Sequence, residues 1–354
     1  MQPKQQALTH IVAGTLGADG ASSMIKSMRS WTFLGLTLGV LALLAGAAAA
    51  QVGGQPVAGQ IGLQQAATPV MEEIHTFYDW VNYIIIAITI FVMVLMAVVM
   101  IRFNRKSNPN PSTTTHNTFI EVVWTVVPVL ILVFIGIFSF KLLFLQYQYP
   151  KPDLTIKATG NAWFWEHTYQ DHDGATVTSN MLTDADMLKA KIGDDKFEAQ
   201  YGNLEDTALS QALYKAAKPL WAERKLSRQL AVDNEIAVPV NAVVHMLVTS
   251  NDVIHGWTIP AFGSKTQAVP GRITATWFKP TKLGVFYGQC SVLCGLKHSA
   301  MPIAIRVVEQ GVFDRWMAAV KADKMEDAGK ILASAGKGDA NKKLAKAKAG
   351  ATAK

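Results

Sequence analysis

Charge is scarce in this sequence. Asp, Glu, Lys and Arg supply 17% of the residues while half are hydrophobic, whereas soluble domains are nearer a quarter charged. The shortage points to a membrane share before any motif is read. What net charge there is sits at the ends: +2 over residues 1–50 and +5 over residues 311–354, which leaves 51–310 neutral. An overall charge of +7 placed this way does not mark a nucleic-acid-binding chain. Cysteine is scarcer still, with two in 354 residues. No Cys-x-x-Cys-His occurs, which excludes covalently attached haem c.

Uncharged runs, by contrast, are long. Val81 to Ile101 carries no charge over 21 residues, enough to span a hydrocarbon core of ~30 Å. A second run, Val122 to Phe140, is interrupted by Pro128 and gives a span over about 122–142. The connecting loop holds Arg102, Arg105 and Lys106 and no acid, so it is expected on the cytoplasmic side. Residues 81–145 then form a transmembrane helical hairpin. Ahead of it, Lys26 and Arg29 precede an apolar stretch from Trp31 to Gly46 and the small-residue run AGAAAAQ. That layout predicts a signal peptide over 1–50, cleaved after Ala50; a third membrane helix is the alternative. Residues 51–80 become an exported N-terminal segment. The expected location is the bacterial inner membrane, two-pass, with the following domain in the periplasm.

That domain is expected over 150–310. Short segments such as LTIKATGNAWFWEHTYQ, AVVHMLVTSNDVIHGWTIP and GRITATWFKP are rich in β-branched and aromatic residues and bounded by Gly, Pro or Asn, the pattern of a sandwich or barrel. Residues 183–229 read instead as a helical insertion broken at Pro219. Residues 311–354, Ala- and Lys-rich at their end, read as a basic flexible tail.

Both cysteines fall within CSVLCGLKHSAM, residues 290–301, spaced C-x3-C-x3-H-x2-M. On count alone a disulfide between Cys290 and Cys294 is an open alternative in an exported domain. Thiolate, imidazole and thioether together are the donor set that copper prefers, and DVIHGW supplies a second imidazole at His255. A mononuclear blue-copper site uses one thiolate, so one is surplus here. Two thiolates that each bridge two copper ions use it up, with one histidine per copper and Met301 as a weak further ligand. Sharing an electron between two metals suits electron transfer.

HGWTIPAFGSKTQAVPGR and YGQCSVLCGLKHSAMPI, with ATPVMEEIHTFYDW before the first span, EVVWTVVP opening the second and the aromatic WFW, resemble subunit II of haem–copper cytochrome c oxidases over nearly all of 66–310. The resemblance implies a two-helix transmembrane hairpin bearing an all-β cupredoxin-like barrel, here with a helical insertion. It implies a subunit of a proton-translocating oxidase that accepts electrons from cytochrome c at a binuclear copper A centre and passes them to haem in subunit I, where oxygen is reduced. Partners are then subunit I, other oxidase subunits, cytochrome c and the membrane. The copper ligands would be His255, Cys290, Cys294, His298 and Met301, with the backbone carbonyl of Val292.

Trp163 would be where electrons enter, although by itself it is a packed strand aromatic. Asp171, Asp173 and Asp252, with Asp153 and Glu166, would form an acidic docking face, although by composition they are solvated surface. Glu121 would lie near a proton-path entrance, although it also suits a helix start. Three residues depart from the family. Val292 stands where a glutamate usually ligates magnesium at the subunit I contact, which puts that magnesium in doubt. Gln267 replaces a common aspartate and Ala300 a common aromatic. A quinol oxidase subunit would lack the thiols, nitrous-oxide reductase would need a propeller domain, and a copper chaperone would favour exposed thiols.

Overall fold

The computed structural model describes residues 54–335. The expected signal peptide and residues 336–354 of the expected tail lie outside the described residues. Two long helices come first, α1 (Pro69–Arg102) and α2 (Thr118–Tyr147). Both are long and apolar enough to cross a membrane, and no residue in the apolar window of either is buried. At 34 residues, α1 is ~50 Å long, so it projects well beyond a hydrocarbon core of ~30 Å. Thr68 caps it: the side chain accepts from Met71 N while its hydroxyl donates to Phe262 O of the β-domain at 2.8 Å. Thr68 itself is buried, so the membrane helix is rooted in the domain it carries. Pro128 lies inside α2 without ending it.

The β-domain has ten strands: β1 (Leu154–Asn161), β2 (Phe164–Tyr169), β3 (Ala175–Ser179), β4 (Ile236–Pro239), β5 (Val244–Ser250), β6 (His255–Ile259), β7 (Ser264–Ala268), β8 (Thr274–Phe278), β9 (Gly284–Gln289) and β10 (Pro302–Val308). Five form one sheet in the order β3-β2-β1-β5-β8; β4-β10-β9 form a second and β6-β7 a short third. β1 runs parallel to β5, and β4 parallel to β10. Burial alternates strictly along β5, so one face of the strand points into the core. Trp165, Tyr169, Met246, Trp257, Phe278 and Ile305 are among the side chains filling the space between the sheets. This is the cupredoxin-like arrangement, carried on two helices.

Between β3 and β4 stand α3 (Asp184–Ile192), α4 (Asp194–Tyr201) and α5 (Asp206–Arg224). They pack around their own small core, which includes Met187, Phe197, Leu220 and Trp221. α5 runs straight through Pro219, contrary to the expected break. A proline removes one backbone hydrogen bond, and here Leu220 and Trp221 are buried immediately after it, which outweighs that loss. The insertion closes on itself through the Met181–Val232 bridge.

A larger correction concerns the tail. Residues 310–321 are α6 (Gln310–Lys321), and residues 325–335 are helical as well. Phe313, Trp316, Met317 and Val320 follow an i, i+3, i+4, i+7 spacing and are buried, and Trp316 meets Tyr169 edge-on at 5.5 Å. One apolar stripe suffices to dock a helix, and the surrounding Ala, Lys and Asp residues masked it.

Candidate metal centre

Three connections meet at one end of the sandwich: the β1–β2 turn, the β5–β6 loop and the β9–β10 loop. Backbone bonds hold them together. Asn251 N donates to Gly160 O at 3.1 Å and Ser291 N to Gly256 O at 2.9 Å. The β9–β10 loop carries Cys290, Cys294, His298 and Met301, and β6 begins at His255. Gly160 makes room for that imidazole, since a Cβ there would lie 2.8 Å from His255 Cδ2.

The two sulfurs stand 3.7 Å apart and the cysteines are free, well beyond the ~2.05 Å of a disulfide bond. Each faces one imidazole. His255 Nδ1 lies 3.9 Å from Cys290 Sγ, and His298 Nδ1 lies 3.5 Å from Cys294 Sγ. Met301 Sδ comes within 3.5 Å of Cys294 Sγ, and the Val292 carbonyl oxygen within 3.2 Å of Cys290 Sγ. His255, Cys290 and Cys294 form the one cluster of this metal-ligating kind among the described residues. His255, Cys290, Cys294 and Met301 are all buried. Burial, with the Cys290 sulfur next to it, pushes the Cys294 thiol up to about 12. Metal binding there must therefore displace a proton. Two sulfurs, two imidazole nitrogens, a thioether and a carbonyl converging at one end of the sandwich fit copper.

Support around the site comes from Asp252, expected only for docking, from Trp163, expected for electron entry, and from Trp165, which the sequence did not single out. Asp252 Oδ1 accepts from His255 Nε2 at 2.7 Å, which turns the Nδ1 lone pair toward the sulfurs. Its other oxygen accepts from Ala162 N at 2.6 Å. Asp252 thus ties the turn preceding Trp163 to the ligand histidine. Burial works to raise its carboxyl, but hydrogen bonds led by His255 outweigh it and hold the group below its ordinary value. Trp163 Nε1 donates to the Cys294 carbonyl at 3.1 Å, and Trp165 Nε1 to the Met301 carbonyl at 3.2 Å. Trp165 also meets the His255 ring edge-on at 5.9 Å. Deeper in the core, His167 Nε2 accepts from Trp257 Nε1, and burial drives its pKa down to about 3.

Other expected site residues lie elsewhere. Asp171 and Asp173 follow the far end of β2, whose six residues span ~20 Å, so they do not adjoin Trp163. Asp171 accepts from Thr155 N at 2.6 Å, and Asp173 pairs with Lys321 at 2.6 Å. Asp153 accepts from Val243 N, and Glu166 from Asn161. Glu121 accepts from Asn117 N, while Asn117 accepts from Ile120 N; its carboxylate is engaged in capping α2. Val292 extends an isopropyl group toward Gly256, where a Cβ would lie 2.9 Å from Val292 Cγ2.

The family description "Cytochrome C oxidase subunit II, transmembrane domain" matches residues 56–142, and its periplasmic-domain counterpart matches 196–308. A probable cytochrome c oxidase subunit 2 of Rickettsia bellii is 41% identical over 264 residues, 75% of this chain and 85% of the relative. Cytochrome c oxidase subunit 2 of Cereibacter sphaeroides is 38% identical over 294 residues, 81% of this chain and 91% of that one. The chain belongs to the cytochrome c oxidase subunit II family. It is therefore a subunit of a haem–copper terminal oxidase, a membrane protein with a periplasmic domain, and its cupredoxin-like domain is of the type that binds copper A. The solved periplasmic domain of subunit II from Bradyrhizobium japonicum is 40% identical, with 50% of this chain and 99% of that chain covered and a TM-score of 0.37.

Proposed function

We propose that this subunit receives single electrons from cytochrome c at a binuclear copper centre and passes them to haem in subunit I, from a position in the bacterial inner membrane. The observation that carries the reading is the pair of close thiols, each faced by its own imidazole. Two copper ions held there would supply a one-electron couple.

The chain's own groups set the conditions. Cys290 and Cys294 would give up their protons and hold the metal as thiolates. His255 and His298 each offer Nδ1, Met301 a thioether and Val292 its backbone carbonyl. Gly256 N donates to Cys290 Sγ at 3.5 Å, which favours the thiolate. The indole of Trp163, bonded to the Cys294 carbonyl, offers a short route from the surface to a ligand. Around it, Val253, Ile254, Leu293 and Leu296 are exposed, an apolar surface suited to a docked partner. Val292 gives a hard cation no side-chain oxygen, so magnesium at the subunit I contact does not enter the proposal.

Copper quantification with EPR on the purified, detergent-solubilised chain tests the reading. Two coppers per chain and a mixed-valence signal are expected. One copper per chain, or a Cys290–Cys294 disulfide that persists through reconstitution, overturns it.

A further inference from the structure

A cavity of about 630 Å³ opens between the periplasmic ends of α1 and α2, away from the copper site. Its walls include Phe77, Trp80, Phe138 and Leu142, and it also carries two charges of opposite sign, Glu73 and Lys141. Neither side chain has an ion-pair or hydrogen-bond partner among the described residues. Both are exposed, so both are open to a ligand.

Their heights along the membrane differ in a useful way. Trp80 directly precedes the uncharged run of α1, and Lys141 directly follows that of α2. Both therefore mark the outer boundary of the hydrocarbon, where tryptophan is favoured. Glu73 is seven residues before Trp80 and so stands ~10 Å further out along the helix. A cation sits at the boundary and an anion above it, over an apolar wedge.

We propose that this groove binds one phospholipid of the periplasmic leaflet, and that the lipid carries an ethanolamine headgroup. Its phosphate lies nearest the hydrocarbon and meets Lys141. Its primary ammonium lies further out and donates to Glu73, and an acyl chain runs along Phe138 and Leu142. Choline has no N–H to give Glu73. A glycerol headgroup brings a phosphate but no cation, so it leaves Glu73 uncompensated. The order of charges thus selects ethanolamine over both.

The test uses the assembled oxidase, washed in mild detergent, with retained lipids counted by mass spectrometry after exposure to ethanolamine, choline and glycerol phospholipids. The unmodified complex should retain ethanolamine lipid in preference to the other two. Lys141→Gln should lower that retention about fivefold, and Lys141→Arg, which keeps the charge, should restore it. Glu73→Gln should abolish the preference for ethanolamine over choline. Unchanged retention in Lys141→Gln, or equal retention of the three lipids by the unmodified complex, overturns the proposal. A photocross-link from position 141 to a neighbouring subunit overturns it too, because protein would then fill the groove. Copper content, which the groove does not touch, reports separately on the electron-transfer reading.

Discussion

Met301 and His298 both face the Cys294 sulfur at 3.5 Å, yet they differ in what they can give a metal. A thioether is a weak ligand and a neutral imidazole a strong one. Met301→Leu should therefore retain both coppers while shifting the reduction potential, and His298→Ala should lose copper. Metal analysis with potentiometry checks the ranking, and equal copper loss in the two variants would contradict it. Asp252 acts one step further out, through His255 and Ala162. Losing such an outer carboxylate typically weakens metal binding ~10–100-fold. Asp252→Ala should show that loss in a chelator competition. Asp252→Asn, whose amide oxygen still accepts from His255, should recover most of it. No recovery in the asparagine variant would mean that charge, not orientation, is what Asp252 supplies. At this scale the sequence was uneven. Cys290, Cys294, His298 and Met301 sit in twelve residues, and their chemistry is readable without a fold. Asp252 stands three residues before His255, so its hydrogen bond could have been suspected from the i, i+3 spacing across a tight loop. The bond from Trp163 to Cys294 could not, because 131 residues separate them.

The insertion is a small structure in its own right, and one ion pair joins its first helix to its exit. Arg228 binds Asp184 through two nitrogens, at 2.8 to 3.1 Å, and Trp221 Nε1 adds a bond at 2.8 Å. Burial alone would raise the Asp184 carboxyl, but Arg228 and Trp221 outweigh it and hold it below its ordinary value. A depressed carboxyl contributes stability above its unfolded pKa and loses it as pH falls through the lower, folded value. Acidification below about pH 4 should therefore loosen helices α3 and α5 before the β-domain, whose core is separate. Hydrogen exchange across a pH series reads this directly, and simultaneous loss of protection in both parts would sink it. Elements were legible where composition was one-sided: the uncharged runs marked α1 and α2, and short β-branched and aromatic segments bounded by Gly, Pro or Asn marked the strands. α6 was missed although Phe313, Trp316, Met317 and Val320 keep a helical spacing, because its stripe is narrow and lies in a Lys- and Ala-rich end. Pro219 misled for the opposite reason. A local rule predicted a break, and tertiary burial of its neighbours overrode it.

Across the whole molecule, the copper end of the sandwich and two of the acids expected for docking, Asp171 and Asp173, are set apart along β2. That separation makes the two contributions to electron arrival distinguishable. Trp163 bonds the backbone of a proposed copper ligand, so Trp163→Ala should slow electron transfer from cytochrome c far more than it weakens association. Asp171 and Asp173 lie ~20 Å away at the other end of the strand, too far to carry electrons but able to steer a basic partner. Exposed charges act over a Debye length of ~8–10 Å near physiological salt, and Asp173 already shares its charge with Lys321. Their effect should accordingly be modest and dependent on salt. Asp171→Asn with Asp173→Asn should lower the association rate at low ionic strength and flatten its salt dependence, leaving the rate within the docked complex unchanged. Stopped-flow traces across a salt series separate the two. If the Trp163→Ala oxidase keeps its rate within the complex, the indole is only a packed aromatic. If the double asparagine variant keeps the salt slope of the unmodified protein, steering belongs to charges closer to the copper end, and Asp252 and Glu166 become the next residues to change.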